Sequence, residues 1–386
     1  MSQGNPPNHK LLSRFWASAS GFWRGKSALS SWPLTVGLLA IGVSQLAVQY
    51  RLNYWNRDFF NALELRNGGN LWKQAITFVP LACMSVGLSV ASVWARMTTQ
   101  RRWRQWLTTS VLNTWLSRER YRQLDSIAGE HKNVEYRIAI DARIATDAPV
   151  DLTLGFVTSA LTAFVFVDVL WTVGGSFTLS LGRLDLTVPG YLVVGVFVYV
   201  LLFTSVMVGI GRRLSMVIQA ENQAEAELIA AATEVNHSAS RAVAIEQTID
   251  NRQLMRDALR QVLARWRQLC WQLMGTTMVS QTDLLFAPVF AWILCAPKYL
   301  AGSMSLGELT QASAAFVTLQ TAFNWLVDNY GRLSDWRSAA NRVASLLLAL
   351  DEVERLEREK PAPSESPPPI EVSGQGSGRE VAGHSR

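Results

Sequence analysis

The pattern of apolar and polar positions divides the chain into six long apolar stretches separated by polar connectors. Each stretch has about the 17–25 residues that a helix needs to cross a hydrocarbon core of about 30 Å. The stretches lack the alternation of barrel strands, and helices and closed barrels are the structures that satisfy backbone groups in lipid. The sequence therefore predicts an all-α integral membrane protein with six transmembrane helices. These are Trp32–Tyr50, Ile76–Trp94, Leu152–Trp171, Tyr191–Ile210, Thr276–Ala296 and Leu309–Val327.

The polar connectors alternate between long and short. Arg96–Gln123 keeps an apolar residue at every fourth position from Trp103 to Trp115, which predicts that the second span continues as a helix outside the membrane. Arg212–Gln272 contains no Gly or Pro and is rich in helix-forming residues, so spans 4 and 5 are predicted to extend in the same way. Thr172–Gly190, by contrast, is a short loop with turn signals at both ends.

These features predict three regions along the chain. Residues 1–31 form an N-terminal arm with alternating polar and aromatic positions, which indicates an interfacial helix. Residues 32–350 form the six-helix transmembrane domain. Residues 351–386 hold the end of a polar helix and a tail rich in Pro, Ser and Gly. We expect this tail to be disordered, because it cannot bury enough apolar surface to offset the entropy of ordering.

The charge distribution predicts how the chain is oriented. Hydrophobic residues make up 49% of the chain and charged residues 17%, with a mean hydropathy of +0.12 and a net charge of +6. Of the 36 Lys and Arg residues, 30 fall on one side of the predicted membrane, in the two termini and the two long connectors. By the positive-inside rule that side is the cytoplasm, which predicts a multi-pass membrane protein with both termini cytoplasmic. The basic balance is thus topological and predicts no nucleic-acid partner.

Residues that could hold a metal, a cofactor or a disulfide do not cluster in the sequence. The cysteines Cys83, Cys270 and Cys295 form no disulfide framework, and the four histidines are scattered. The phosphate-binding pattern G-x-x-x-x-G-K-[ST] is missing, and its nearest counterpart, Gly302–Glu308, has Glu in place of the essential Lys. We therefore expect no cofactor, no metal, no catalytic residue and no ATP site in this chain, so the protein is predicted not to be an enzyme.

Polar residues inside the predicted spans are candidates for a transport pathway, because a charge at the bilayer centre costs about 2.5–3.5 kcal/mol. Asp283 lies near the middle of span 5, with Gln281 beside it and Pro288 after it, where the helix is expected to bend. The alternative is that these groups only hydrogen-bond neighbouring helices. Asp168 near the end of span 3, and Asn324 and Asp328 at the end of span 6, are further candidates, with a solvated helix end as the alternative.

Several local motifs resemble one known group of transporters. Asn53–Glu64, which reads NYWNRDFFNALE, resembles the segment after span 1 in the SbmA/BacA-like transporter family and its relatives, the ABC exporters of the ABCD type. Asn133–Asp141 (NVEYRIAID) is similar to the first cytoplasmic turn of that family. Further segments fit in the same order. They are Leu170–Gly175, Ile293–Gly302, Leu306–Gln311 and Phe323–Tyr330, and the resemblance covers about Trp32–Leu350.

The resemblance implies the fold of half an ABC exporter and a permease that works by alternating access. It implies a homodimer in the lipid bilayer of the bacterial inner membrane and a cargo of peptides, peptide-like molecules or amphipathic compounds. It also places the cytoplasmic turns where an ATPase would dock. The candidates are Asn133, Glu135, Arg137 and Asp141 in the first turn and Asn236 and Glu246 in the second, with a solvated charged surface as the alternative.

The source of energy stays open between two alternatives. Transport is proton-driven, as in the SbmA/BacA branch, or a separate ATPase subunit docks on the cytoplasmic turns. A third alternative is a truncated remnant that transports nothing. Cargo identity and the direction of transport do not follow from the sequence.

Overall fold

The computed structural model describes residues 8–25, 28–124, 134–181, 184–239 and 245–359. In these residues the chain is almost wholly helical. The first four helices are α1 (Asn8–Ala19), α2 (Gly21–Arg24), α3 (Ala28–Glu64) and α4 (Gly68–Leu116). After a short 3₁₀ turn, the chain continues with α5 (Arg120–Leu124), α6 (Val134–Tyr136), a π-helical turn at Arg137–Asp141 and α7 (Ala142–Gly174). The last four helices are α8 (Tyr191–Ala239), α9 (Ile245–Leu300), α10 (Leu306–Asp328) and α11 (Tyr330–Glu359).

Five helical stretches are long and apolar enough to cross a membrane by length and composition. They are Ala28–Glu64, Gly68–Arg122, Val134–Gly174, Tyr191–Asn236 and Asn251–Leu300. The sixth predicted span corresponds to α10, which is not among the five. Its 23 residues would extend about 34 Å, enough to cross the hydrocarbon core, but its Gln, Asn and Thr side chains make it less apolar. An all-α membrane protein is therefore confirmed, and the count of six spans stays a prediction.

A β-hairpin connects α7 to α8 where the sequence indicated only a short loop. Its strands, β1 (Ser176–Leu181) and β2 (Leu184–Pro189), pair antiparallel, with Ser176 opposite Pro189. Gly175 and Gly190 flank it with φ of +57° and +62°, a conformation that favours glycine. We call this end of the bundle the hairpin end. The opposite end, which carries α1 and α2, is the arm end.

Two clusters of buried side chains hold the helices together. The cluster at the hairpin end joins α7, α8, α9 and α10 through residues such as Phe166, Leu192 and Phe316. The cluster at the arm end joins α1, α2, α4 and α11 around Trp103. It includes Phe15 and Phe22 of the N-terminal arm, so two aromatic rings of the predicted interfacial helix are buried in protein and do not face lipid.

The predicted helical extensions are present, with one early break. α4 continues past the predicted span without interruption to Leu116. It ends in the 3₁₀ turn where Arg118 and Glu119 have φ of +51° and +58°. The predicted tail is outside the described residues except for 351–359, which belong to α11.

Candidate functional site

A polar cavity of about 570 Å³ lies between α3, α4, α7, α10 and α11. Its wall combines apolar residues with hydroxyl and amide groups that recur at helical spacing, so that α3, α7 and α10 each turn a polar stripe toward the same space. The cavity volume falls within the range of about 300–1,000 Å³ that ligand sites occupy. The polar wall residues are Gln45, Gln49, Ser92, Thr158, Ser159, Thr162, Thr318 and Thr321.

The charged part of the cavity wall is centred on Asp151 of α7. Its carboxylate accepts hydrogen bonds from Gln100 Nε2 at 2.7 Å and from an Arg332 guanidinium nitrogen at 2.6 Å. Arg96 Nε is 3.6 Å from the same carboxylate. Asp151 therefore connects α4, α7 and α11 through one side chain. Asp151 is not among the residues predicted from the sequence, because it lies just before the third predicted span, where charged residues are common.

A smaller, apolar cavity of about 280 Å³ adjoins the polar one. Pro149, Leu152, Phe156 and Leu333 contribute to its lining, and Trp325 lines both cavities. The Trp325 indole lies against Gly155, where a Cβ atom would come within 2.5 Å of Nε1. The small residue at position 155 is therefore what lets the indole sit between the two cavities.

Asp283 of α9 lies in a second polar group, formed with α10 and α8. Its Oδ2 accepts hydrogen bonds from Gln320 Nε2 at 2.5 Å and Asn324 Nδ2 at 3.3 Å. The Tyr199 hydroxyl donates to the backbone carbonyl of Asp283 at 3.2 Å. In the described part of the chain, the buried Oδ1 atom has no hydrogen-bond partner. The structure thus brings together Asp283 and Asn324, two of the predicted pathway residues, and adds Gln320 and Tyr199.

The other predicted pathway residues lie apart from this group. The side chains of Gln281, Asp168 and Asp328 are exposed on the surface of the bundle. α9 runs as one helix through Pro288, whose carbonyl accepts a hydrogen bond from the Ser313 hydroxyl at 3.3 Å. The bend predicted at Pro288, and a pathway role for the exposed residues, remain predictions.

The motif after the first span binds the first turn of α10. Glu64 accepts a hydrogen bond from the Leu306 N–H, and Asn61 accepts one from the Gly307 N–H, both at 2.9 Å. Asn53 donates to the Gln311 carbonyl at 3.1 Å. A capping box between Ser305 and Glu308 satisfies further N–H groups. The asparagines and the glutamate of this motif therefore orient α10, which carries much of the polar wall.

The first predicted docking turn is divided between surface and interior. Glu135 is exposed, whereas Asp141 is fully buried and accepts two hydrogen bonds from Arg342 of α11, at 2.7 and 2.8 Å. These bonds raise the pKa of the Arg342 guanidinium, and burial acts in the opposite direction. Arg137 donates to the Ser345 hydroxyl at 2.9 Å. The side chain of Asp141 is thus out of reach of an external partner, and it anchors the turn to α11.

The second predicted docking turn is described only in part. Asn236 lies near the end of α8 with its side chain exposed. Asn133 and the side chain of Glu246 lie outside what the structure describes. Within the described residues, no group of three His, Cys, Asp or Glu side chains is placed to hold a metal ion.

Ion pairs hold α11 along its length, and none of these pairs is predicted from the sequence. Arg120 of α5 pairs with Glu354 and Glu357, and Arg14 of α1 pairs with Asp351. Their partners are more than 200 residues away in sequence, so no local spacing pattern could have identified them. α11 is therefore fastened to the N-terminal arm, to α5 and, through Arg342 and Asp141, to the turn before α7.

Several known proteins are similar in sequence to this chain. The chain is 26% identical over 344 residues to the inner membrane ABC transporter ATP-binding protein YddA of Escherichia coli, covering 86% of this chain and 60% of that protein. It is 27% identical over 287 residues to an ABC transporter ATP-binding protein of Synechocystis, covering 73% of this chain and 40% of the relative. It is 19% identical over 348 residues to ABC transporter D family member 2, chloroplastic, of Arabidopsis thaliana, covering 88% and 46%.

The chain therefore spans 60% or less of the length of each of these three relatives. The region that matches a family model includes the helices from α3 to α9. The model describes ABC transporter transmembrane region 2 and matches residues 26–300, more than half of the chain, so the chain belongs to this family.

Proposed function

We propose that two copies of this chain form the membrane pathway of an ABC-type transporter that moves peptides or amphipathic compounds across the bacterial inner membrane by alternating access. The observation that carries the proposal is the polar cavity between α3, α4, α7, α10 and α11. Thr158, Thr318 and Thr321 bond carbonyls of their own helices. Their oxygen atoms, with the amides and the charged residues of the wall, offer a polar solute groups to bind between membrane helices. In this proposal one copy supplies one wall of the path.

The exposed apolar stripe on α9 supports a second copy as the other wall. Leu259, Leu263 and Trp266 follow one another at helical spacing, and the side chains of Leu263 and Trp266 are 59% and 53% exposed. They precede the predicted span by ten residues or more, so lipid tails do not cover them. A second copy packed against this stripe would remove it from water.

Oligomeric state tests the homodimer. We expect the detergent-solubilised chain to have the mass of two copies, and the double variant Leu263→Gln, Trp266→Gln to shift toward one copy because it loses the apolar contact. Arg260→Gln, on the same helix, is the matched control and should leave the mass unchanged. Light scattering coupled to size exclusion measures both. A wild-type mass of one copy at all concentrations would contradict the proposed dimer.

The polar cavity is a path only if filling it stops transport. Thr162 lines the cavity, whereas its neighbour Leu161 is exposed on the outside of the bundle. We expect Thr162→Trp to reduce uptake of a labelled antimicrobial peptide or a labelled amphipathic compound to the level of protein-free vesicles. Leu161→Trp adds a ring of the same size on the lipid side and should transport normally. Equal transport by the two variants would show that the cargo does not use this cavity.

The names of the relatives support ATP hydrolysis as the energy source of transport, since two are named as ATP-binding proteins and the third as an ABC transporter. In this proposal a nucleotide-binding domain, in cis or as a separate subunit, contacts the turns that carry Glu135, Asn236 and Glu246. Transport inhibited by vanadate supports this source. Transport abolished by a protonophore supports the proton-driven alternative. Uptake equal to that of vesicles without the protein would favour a non-transporting remnant.

The buried, unpartnered oxygen of Asp283 favours proton coupling as the second candidate. Two amides donate to its Oδ2 atom, whereas its Oδ1 atom has no partner in the described residues and is where a bound proton would lie. We expect Asp283→Asn to remove stimulation of uptake by an imposed pH gradient, because the amide takes up no proton. Asp257→Asn, which changes an exposed carboxyl on the same helix outside the predicted span, is the control. Gradient-stimulated uptake that survives Asp283→Asn would leave this residue a structural role.

A further inference from the structure

A cleft of about 510 Å³ opens at the arm end, separate from the two central cavities. The first turn of α3, α2 and α4 enclose it. Phe22 and Trp106 form an apolar wall, while the hydroxyl of Ser30 and the amides of Gln105 and Asn113 provide polar groups. Arg102 is the charged residue in its lining. None of the candidate transport or docking residues belongs to this lining, so the cleft has no part in the proposed pathway.

The two segments that form the cleft carry positive charge without any acidic residue. No Asp or Glu precedes Asp58 in the chain, and none occurs in α4 between Gly68 and Leu116. At the arm end Arg14 and Arg120 have acidic partners, whereas none of the ion pairs in the described residues includes Arg24, Arg101 or Arg102. The cleft therefore has a positive potential that the protein itself does not neutralise.

One end of the cleft lies at the level of the headgroup layer of the bilayer. Trp32, the first residue of the first predicted span, donates to the Trp23 carbonyl, and the Trp23 ring packs against Trp103. Arg102, next to Trp103, is therefore level with that end of the span. Its side chain tilts toward the N-terminus of α4 and so toward the membrane, where the headgroup zone borders the hydrocarbon core. Trp32 is 55% exposed at this level, as expected for an interfacial aromatic residue.

We propose that this cleft binds the phosphate headgroup of an anionic phospholipid from the adjacent leaflet. The Arg102 guanidinium presents donors in a planar fork that matches phosphate oxygens, and the Gln105 amide, one turn along α4, supplies a further donor. The apolar wall of Phe22 and Trp106 lies beside the lipid's glycerol and upper acyl carbons. Because the headgroup contacts both α2–α3 and α4, it fastens the N-terminal arm to the bundle. The proposal depends on membrane embedding and is independent of cargo and energy source.

Lipid binding to a pair of neighbouring arginine variants tests this site. Arg101 and Arg102 are both exposed on α4, but only Arg102 lines the cleft. Native mass spectrometry of the full chain would measure retention of phosphatidylglycerol against phosphatidylcholine. We expect the wild type to retain phosphatidylglycerol preferentially and Arg102→Gln to lower its affinity about fivefold, the effect of removing one interfacial cation. Arg101→Gln should change it less than twofold, and Arg102→Lys should retain most of the preference.

Three results would overturn the proposal. Equal losses in Arg101→Gln and Arg102→Gln would show that general surface charge attracts the lipid. Equal retention of the two lipids by the wild type would show that the cleft does not select an anion. Displacement of phosphatidylglycerol by inorganic phosphate at the same concentration would show that the cleft takes free phosphate, whereas phospholipid retained in that competition supports the lipid site.

Discussion

Replacing Gly307 with alanine is expected to destabilise the protein by about 3 kcal/mol, the upper end of what overpacking typically costs. A Cβ atom at this buried position collides with the Arg57 carbonyl and with the Asn61 side chain. The carbonyl belongs to the backbone of α3 and cannot rotate away, so the first turn of α10 must move. The hydrogen bonds that Leu306 and Gly307 donate to Glu64 and Asn61 are then lost as well.

Thermal unfolding in detergent, followed by size exclusion and intrinsic fluorescence, measures this effect. Gly87→Ala is the matched control, because it makes the same chemical change within α4 where nothing lies within 4 Å of the added atom. It should be neutral or slightly stabilising, since alanine favours helix. A Gly307→Ala protein as stable as Gly87→Ala would mean that α3 and α10 do not meet as closely as described. Transport should fall in parallel, because α10 carries part of the polar wall.

Arg342→Gln is expected to cost about 3–5 kcal/mol, the range for removing one partner of a buried ion pair. The reason is the unequal burial of the pair. Asp141 is fully buried, whereas the Arg342 side chain is 45% exposed. Loss of the arginine leaves a buried carboxylate without its cation. Asp141→Asn, in contrast, leaves an arginine that water can still solvate, and we expect it to cost about 1–2 kcal/mol, near the value of the lost charged hydrogen bonds.

Chemical unfolding of the two single variants and the double variant forms a mutant cycle that isolates the pair. The double variant should be more stable than Arg342→Gln alone, because it no longer buries an unpaired charge. Arg355→Gln is the control on the same helix. Arg355 is 63% exposed and pairs with Glu352, so its loss should cost less than about 1 kcal/mol. Equal costs for Arg342→Gln and Arg355→Gln would contradict the anchoring role given to Asp141.

The long apolar helices and their extensions beyond the membrane were predictable, because each follows from residues close together in sequence. α10 shows the limit of this reasoning. Its polar residues lower its hydropathy, yet Gln320 and Asn324 have partners on α9, and such partners are not visible in a local pattern. The same holds for Asp283, which was identified from its depth in a span while its bonds were not.

The site contacts that were not predicted from the sequence share one feature, which is that the contacting residues are far apart in the chain. Asp151 of α7 accepts hydrogen bonds from residues of α4 and α11. Gly155 is required to be small only because the Trp325 indole packs against it. Asp141 was expected at a docking surface because the family resemblance places this turn there, and its partner Arg342 lies 201 residues away. No spacing rule connects residues so far apart.

The sequence by itself determined that this chain is a helical membrane protein. A run of about twenty apolar residues must leave water, and a helix is the form that satisfies its backbone in lipid, whatever its neighbours are. It also indicated the transporter family through motifs whose order persists along the chain. The tertiary structure alone decided which polar side chains share a cavity, which charges are buried and which remain exposed. These depend on pairing between distant helices, where a shift of one residue redirects a side chain by about 100° around the helix axis.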